Sequence, residues 1–179
     1  TQTVFSEGPV DARIVLVGEQ PGDQEDRQGR PFVGPAGQLL DRAFDEAGLD
    51  RQQVYLTNAV KHFHHELKGK FRLHKKPSAR HISACRPWIE AELRTIQPQV
   101  LVCLGATAAQ ALIGPAFRIM QNRGVLLPSA WSHRIIATWH PSAILRAVQE
   151  DQRERQLQEL VADLKLAVVS ANETSVERS

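Results

Sequence analysis

The apolar positions of this chain form two patterns, which alternate along the sequence. Four short runs are largely apolar and are bounded by glycine or polar residues, which is typical of strands buried on both faces of a sheet. These runs are residues 13–17, 54–57, 100–104 and 134–137. Between the runs, apolar side chains recur at the i, i+3 and i+4 spacing of amphipathic helices. The predicted helices cover residues 36–47, 78–96, 106–113 and 151–169.

This alternation predicts an α/β fold with three layers, α/β/α, around a central four-stranded parallel sheet. The pattern predicts a single domain over residues 1–169, and the polar tail 170–179 is expected to be disordered. Ligands of such sheets bind beyond the carboxyl ends of the strands. The loops that leave the strands there with reactive side chains are residues 18–34, 58–77 and 138–142.

The bulk properties narrow the class of protein. A chain of 179 residues is long enough to form one domain with its own core. No apolar run approaches the roughly 20 residues that span a bilayer, and the sequence lacks a secretory signal pattern. The two cysteines, Cys85 and Cys103, are too few for a disulfide framework. These features predict a protein of the reducing cytoplasm.

Positive charge is concentrated in one window, from Lys61 to Arg86. The window holds eight Lys and Arg against one acid, Glu66, so its net charge is +7, whereas the whole chain has +2. Such a concentration predicts a polyanionic partner and favours nucleic acid. His74 lies in the middle of the densest part, residues 70–76, where it could react with a bound strand.

Three loop residues carry candidate chemistry. Glu19 lies at the tip of a predicted buried strand, where a carboxylate is costly unless it is paired or functional; its loop matches neither the dinucleotide nor the phosphate-loop pattern. Phe32, between prolines and glycines, either packs under its loop or offers a stacking platform for a base. Asn58 either closes a turn or reads the imide edge of a pyrimidine with its amide.

The histidines leave a metal site open as a further possibility. Five of them, at positions 62, 64, 65, 74 and 81, lie in or beside the basic window. Their spacing matches no standard zinc signature, so we favour histidines that face phosphate. The stretch His140–Ser142 after the last predicted strand is weak evidence when taken alone.

Together these motifs resemble those of the uracil-DNA glycosylase superfamily, in particular its iron–sulfur branch, family 4. In this sequence they are Gly18–Gly22, Gly29–Gly37, Thr57–Lys61 and His140–Ser142. The chain is most similar to the UdgX type, which has Gln after the motif Glu, a Lys-His pair, and a basic loop ending in Arg-x-His-Lys. Here these hallmarks are Gln20, Lys61-His62 and Arg72–Lys75. The resemblance covers about residues 3–168.

The resemblance implies a role for each candidate residue. Phe32 would stack on a uracil flipped out of the strand, and Asn58 would hydrogen-bond its edge. His140 would stabilise the negative charge that grows on the departing base, while Glu19 acts at the sugar. In the UdgX type the loop histidine, here His74, replaces water as the nucleophile and bonds to the sugar C1′. The enzyme then stays attached to the abasic DNA.

The resemblance also predicts the contact sets and the partner. The expected uracil contacts are Gln20, Asp23, Phe32, Asn58 and His140. The expected DNA contacts are Lys61, Lys70, Arg72, Lys75, Lys76 and Ser142. The partner would be uracil-containing DNA, single-stranded, bound by a monomer. Three alternatives stay open: a conventional glycosylase that uses water, a uracil-DNA binding module that breaks no bond, and a metal-binding α/β domain.

One departure from the family concerns its [4Fe–4S] cluster. The family implies four ligands, two of which come from a C-x-x-C pair upstream of the first strand. This sequence has no such pair, and the positions that match the other two ligands are His62 and Cys85. Either the sequence is truncated or the protein lacks the cluster. With half of the ligands we expect no stable cluster assembly.

Overall fold

The computed structural model describes residues 1–176 of the chain, with side chains up to residue 173. Its strands are β1 (Ile14–Gly18), β2 (Tyr55–Asn58), β3 (His65–Lys68), β4 (Phe71–His74), β5 (Val100–Leu104), β6 (Leu127–Pro128) and β7 (Arg134–Thr138). Its α-helices are α1 (Asp23–Gln28), α2 (Pro35–Ala47), α3 (Ala79–Ile96), α4 (Ala106–Leu112), α5 (Ile119–Asn122), α6 (Pro141–Arg146) and α7 (Glu150–Val176). The short helices α1, α5 and α6 lie in stretches without a predicted helix.

The main sheet has the strand order β2-β1-β5-β7-β6. The first four strands pair in parallel, and they are the four predicted from the apolar runs. The mostly parallel α/β fold is confirmed, but the predicted number of strands was wrong. Strand β6 pairs antiparallel with β7 at the edge of the sheet. It comprises only Leu127 and Pro128, too few residues for a periodic signal, and proline is tolerated at a sheet edge.

The two faces of this sheet explain the three layers. Side chains alternate along a strand, so neighbouring residues enter opposite layers. In β1, Leu16 belongs to the core cluster beneath α2 and α7, whereas Val15 and Val17 belong to the cluster beneath α3 and α4. These side chains have no exposed surface. Burial on both faces is why the strands are continuous apolar runs rather than alternating ones.

Helix α7 extends farther than the sequence predicted. We expected it to end at residue 169 and to be followed by a disordered tail, but the helix continues to Val176. Ser170 and Ala171 are buried, and the Arg13 guanidinium donates to the Ala171 carbonyl. The predicted start of the tail was therefore wrong, because these contacts hold the next turns of the helix against the body. The remaining part of the predicted tail, residues 177–179, lies outside the described residues.

The basic window contains a β-hairpin. Strands β3 and β4 form a separate antiparallel sheet in which His65 pairs with His74 and Lys68 pairs with Phe71. The turn between them includes Gly69 in the left-handed region, with φ 61°, a conformation that suits glycine. The sequence predicted only a loop here, since these strands have little of the apolar pattern of a buried sheet. Within residues 1–176, no helix is both long and apolar enough to cross a membrane.

Candidate active site

A cleft of about 670 Å³ opens at the carboxyl edge of the main sheet. Its lining comes from residues that follow four neighbouring parallel strands, in agreement with the expected position of a ligand site. The cleft contains five of the predicted residues: Glu19, Phe32, Asn58, His74 and His140. It also contains Gln20, Lys76 and Ser142 from the predicted contact sets. Residues from distant parts of the sequence thus form one site.

Glu19, directly after β1, joins the sheet to the hairpin. One carboxylate oxygen, Oε2, accepts a hydrogen bond from the Thr107 hydroxyl. The other, Oε1, lies 3.2 Å from Nε2 of His74. Burial acts to raise the pKa of Glu19, but the hydrogen bonds from His74 and Thr107 outweigh it, so the pKa lies below its ordinary value. Glu19 is therefore a carboxylate at neutral pH.

His140 presents a neutral N–H donor to the cleft. Burial of the ring lowers the pKa of His140 to about 4, so the imidazole is neutral at pH 7. Its Nδ1 caps α6 by accepting a hydrogen bond from the Ser142 backbone N–H at 3.1 Å. Because Nδ1 accepts this bond, the hydrogen of the neutral ring must be on Nε2. Nε2 faces Gly18, where a Cβ would lie 3.4 Å away.

Phe32 is held under strain at the back of the cleft. Its backbone has φ 53°, a left-handed conformation that is costly for a bulky residue. The Arg51 guanidinium stabilises it by donating to the Phe32 carbonyl at 3.0 Å and to Asp41 at 2.7 Å. Gly18 leaves the space that the ring requires, since a Cβ there would lie 2.7 Å from Phe32 Cζ. The ring lies 6.3 Å from the His140 ring, measured between centroids.

Asn58 ends β2 with an unused hydrogen-bond acceptor. The residue is 3 % exposed, and Oδ1 is buried without a partner among the described residues. A buried polar atom of this kind is costly unless a ligand satisfies it. The opposing surface is Gly18, whose absent Cβ would lie 2.5 Å from Oδ1. The cleft therefore offers a flat ligand the face of Phe32 and an acceptor for an N–H group.

Lys61 lies beneath this floor, not on the surface. Its side chain is buried, with 1 % of the residue exposed. Nζ donates to Glu92 at 2.6 Å and to the Asn58 carbonyl at 2.8 Å. Burial lowers the pKa of Lys61, while the Glu92 carboxylate acts to raise it. The prediction that Lys61 contacts DNA was wrong, because its ammonium group is used to fix the end of β2.

Two side chains tie the hairpin to the body. The Gln20 amide donates to the carbonyls of His64 and Lys75, at 3.1 and 3.2 Å, and accepts from the His64 N–H at 3.2 Å. It thus holds the two ends of the hairpin together next to the cleft. Whether Gln20 also contacts uracil stays a prediction.

Arg72 is the second anchor. Its guanidinium forms ion pairs at 2.5 Å with Asp23 and Asp26 of α1, and it lies over the Phe63 ring. Two carboxylates already occupy the guanidinium of Arg72 in this structure, and its contact with DNA stays a prediction. Asp23 pairs with Arg27 as well and does not line the cleft, so its predicted uracil contact is not formed by this geometry.

The remaining predicted DNA contacts are accessible. Lys70 and Lys75 are exposed on the hairpin, where Lys75 forms a loose surface pair with Glu66 at 3.4 Å. Lys76 lines the mouth of the cleft, as does Ser142. The Ser142 hydroxyl lies 2.7 Å from Nδ1 of His140. Their contacts with DNA stay predictions.

Sequence reasoning missed Glu25, a buried carboxylate beside the cleft. Oε1 accepts hydrogen bonds from the backbone N–H groups of Val33 and Gly34, at 3.0 and 2.8 Å, and Oε2 accepts from Gly22 at 3.1 Å. Glu25 therefore joins the loop after β1 to the loop that carries Phe32. Sequence reasoning also missed Thr107, whose hydroxyl donates a hydrogen bond to Glu19. Glu25 is one of three acids in a short polar stretch, so its sequence context gives only a weak signal that it joins the two loops.

The residues present do not fit an iron–sulfur cluster. His62 Nε2 bonds to the Thr3 hydroxyl at 2.9 Å, while the buried Cys85 sulfur accepts the Lys61 backbone N–H at 3.4 Å. The part of the chain that the structure describes holds no group of three or more His, Cys, Asp or Glu residues that could bind a metal. The cluster stays a prediction, since the described residues do not supply its ligands, and we assign it no step of the reaction.

Comparison with known proteins agrees with this site. A model of the family described as "Uracil DNA glycosylase superfamily" matches residues 5–165. The chain is 37 % identical over 161 residues to a type-4 uracil-DNA glycosylase of Thermotoga maritima, covering 89 % of this chain and 80 % of the relative. It is 33 % identical over 150 residues to the type-4 enzyme of Pyrobaculum aerophilum, covering 80 % and 73 %. The chain therefore belongs to the uracil-DNA glycosylase superfamily, and its likeness is to family 4.

Proposed function

We propose that this protein excises uracil from DNA and then captures the abasic sugar covalently on His74. The activity of its type-4 relatives supports the excision step. The capture step rests on one observation: Nε2 of His74 lies 3.2 Å from the Glu19 carboxylate at the edge of the cleft. That carboxylate is the group expected to act at the sugar, so a nitrogen beside it is within reach of the same carbon.

Base recognition follows from the floor of the cleft. Uracil carries an N–H group between two carbonyl oxygens, and the buried Asn58 Oδ1 accepts that hydrogen. Cytosine has no hydrogen at this ring nitrogen, so it would leave the Asn58 oxygen unsatisfied, which costs about 1–3 kcal/mol. Phe32 supplies the stacking surface for the base, and Gly18 leaves room for the Phe32 ring.

Departure of the base is assisted by His140. When the bond between C1′ and the base nitrogen breaks, its electron pair leaves with uracil, which becomes an anion. The neutral Nε2–H of His140 can donate a hydrogen bond to this anion and so stabilise its negative charge. A donor of this kind, already oriented by the cap on α6, contributes about 100- to 1000-fold to the rate.

Capture of the sugar involves Glu19 and His74. As the base departs, positive charge grows on the sugar, and the ionised Glu19 stabilises it. The Nε2 lone pair of His74 then forms the new bond to C1′. In the resting contact Nε2 carries the hydrogen that Glu19 accepts; before attack, solvent takes this hydrogen and supplies one to Nδ1, which it can reach because the side chain of His74 is 47 % exposed. The adduct is an imidazolium with its hydrogen on Nδ1, which balances the charge of the uracil anion.

The test is incubation with single-stranded DNA that contains one uracil, followed by denaturing electrophoresis. We expect a slowly migrating protein–DNA complex and free uracil in equal amounts, and mass spectrometry should locate the adduct on His74. The complex should be lost in His74→Ala. His65→Ala is the matched control, because His65 pairs with His74 across the hairpin but stacks on Phe63 instead of contacting Glu19.

Two outcomes would contradict the proposal in different ways. If uracil accumulates over many turnovers and no complex survives denaturation, water is the nucleophile and the protein is a conventional glycosylase. If DNA binds but no uracil is released, the protein is a binding module. A monomeric state, a preference for single strands and a cytoplasmic location belong to the same proposal and stay predictions.

A further inference from the structure

The turn end of the hairpin exposes apolar side chains among positive charges. We define the hairpin tip as residues 67–73. Leu67 and Phe71 are 73 % and 74 % exposed, and Leu73 is 40 % exposed. The tip also includes Lys68 and Lys70, which are exposed as well. A large aromatic side chain in this position gains nothing from burial in the protein, so folding does not explain it.

The register of the hairpin accounts for the exposure of Phe71 and Leu73. Residues directly opposite each other in an antiparallel pair share a face, and neighbours along a strand alternate. Arg72 and His74 face the body, where they contact α1 and Glu19. Phe71 and Leu73 therefore face away from the body, since they alternate with these two residues. The anchoring contacts of the hairpin leave its outer face uncovered.

We propose that the hairpin tip binds single-stranded DNA, and that Phe71 stacks on a base near the uracil. This inference rests on the proposed function, which supplies DNA as the partner. Surfaces that bind single strands combine aromatic platforms with positive charges that follow the phosphates. The tip has this combination, since Phe71 is flanked in sequence by Lys70 and pairs in register with Lys68.

The position of Phe71 relative to the cleft supports this assignment. Phe71 and His74 are at opposite ends of the same strand, three residues or about 10 Å apart. Because their side chains point to opposite faces of the hairpin, a strand whose sugar reaches His74 has to pass around the tip to come within a few nucleotides of Phe71. Bases in a duplex are already stacked on their neighbours, whereas bases of a single strand have free faces. The hairpin tip therefore favours single strands over duplex.

The test measures binding to short fluorescent DNA without uracil, by anisotropy, so that no reaction contributes. Phe71→Ala should weaken binding to single-stranded DNA about ten-fold, from the loss of one stacked base. Phe71→Trp should retain the affinity of the wild type, and Phe71→Leu should not restore it. Phe5→Ala is the matched control, because Phe5 is also exposed, at 57 %, but lies outside the hairpin. Affinity for duplex should change less than affinity for single strands.

The result that overturns this inference is equal affinity of Phe71→Ala and wild type for single-stranded DNA. The exposed tip would then be a candidate surface for a protein partner. This outcome is distinct from failure of the proposed function. Loss of affinity in Phe71→Ala without any adduct on uracil DNA would support the DNA surface and reject the capture by His74. Adduct formation with unchanged affinity would do the reverse.

Discussion

The floor of the cleft and the hairpin are attached to the molecule in different ways. Asn58 is the last residue of a buried parallel strand, and His140 lies two residues after another, so the hydrogen-bonded register of the sheet determines their positions. Among the described residues, the hairpin strands pair only with each other. Polar contacts of side chains, chiefly those of Gln20 and Arg72, hold the hairpin to the body. The position of the cleft floor therefore depends on the core, whereas the position of the hairpin depends on a few polar contacts.

This difference predicts that uracil release and the proposed capture by His74 can be separated. Changes in the cleft should reduce both uracil release and adduct formation, because capture requires that the base has left. Changes in the hairpin should reduce adduct formation more than they reduce uracil release. The ratio of adduct to released uracil therefore reports which half a substitution affects.

The largest effect is expected beneath the cleft, at Lys61. Lys61→Met would leave Glu92, which lies 2.6 Å from Nζ, partly buried without its cation. Breaking a buried ion pair in this way costs about 3–5 kcal/mol in the free energy of unfolding. Urea denaturation would measure the loss. Lys70→Met, on the exposed hairpin, is the matched control and should change stability by less than about 0.5 kcal/mol. Equal stability of the two variants would show that the pair does not support the floor.

His140→Ala should have the next largest effect. The cleft would lose its N–H donor to the departing base, so the rate of uracil release should fall about 100- to 1000-fold, or roughly 3–4 kcal/mol. Adduct formation should fall by the same factor. Single-turnover assays of both products would check this, with His133→Ala, an exposed histidine outside the cleft, as control. A fall in adduct alone would place His140 in the capture step instead.

The same histidine should make stability depend on pH. The pKa of His140 is lowered from 6.5 to about 4 by burial of the ring. Between these two pH values the unfolded chain binds a proton that the folded chain does not. The contribution of His140 to the free energy of unfolding is therefore fully present above pH 6.5 and is lost as the pH falls to 4. The loss is about 3 kcal/mol. His140→Asn keeps a capping side chain that does not titrate. Thermal unfolding from pH 4 to 7 should show a flatter profile for this variant; identical slopes would argue against the shift.

The same contrast between the two halves explains what the sequence could predict. Glu19 and Asn58 were found because they end or follow apolar runs, and parallel strands bring their carboxyl ends to one edge, whereas His140 became a candidate through the family resemblance. Lys61 and Arg72 were assigned to DNA from their charge and from the family resemblance, without knowledge of their partners. Their partners are Glu92 on α3 and the acids of α1, which are distant in sequence. A count of charges does not reveal such pairing, and neither does it reveal that Glu25 binds three backbone N–H groups.

The smallest effect, and the sharpest comparison of the two halves, is expected from Gln20→Ala. This change removes three hydrogen bonds between the Gln20 amide and the ends of the hairpin. At about 0.5–1.5 kcal/mol each, their loss should loosen the position of His74 and slow adduct formation by about ten-fold or more. Uracil release should fall much less, because the cleft floor is unchanged.

Gln52→Ala, an exposed glutamine outside the cleft, serves as the control for Gln20→Ala. Both products are measured in the same single-turnover reaction, so their ratio is independent of the active fraction of enzyme. If Gln20 contacts uracil, as the family resemblance implies, release and adduct should fall together and the ratio should stay constant. A lower ratio means that Gln20 acts through the hairpin, because only the step that needs His74 would then have been lost.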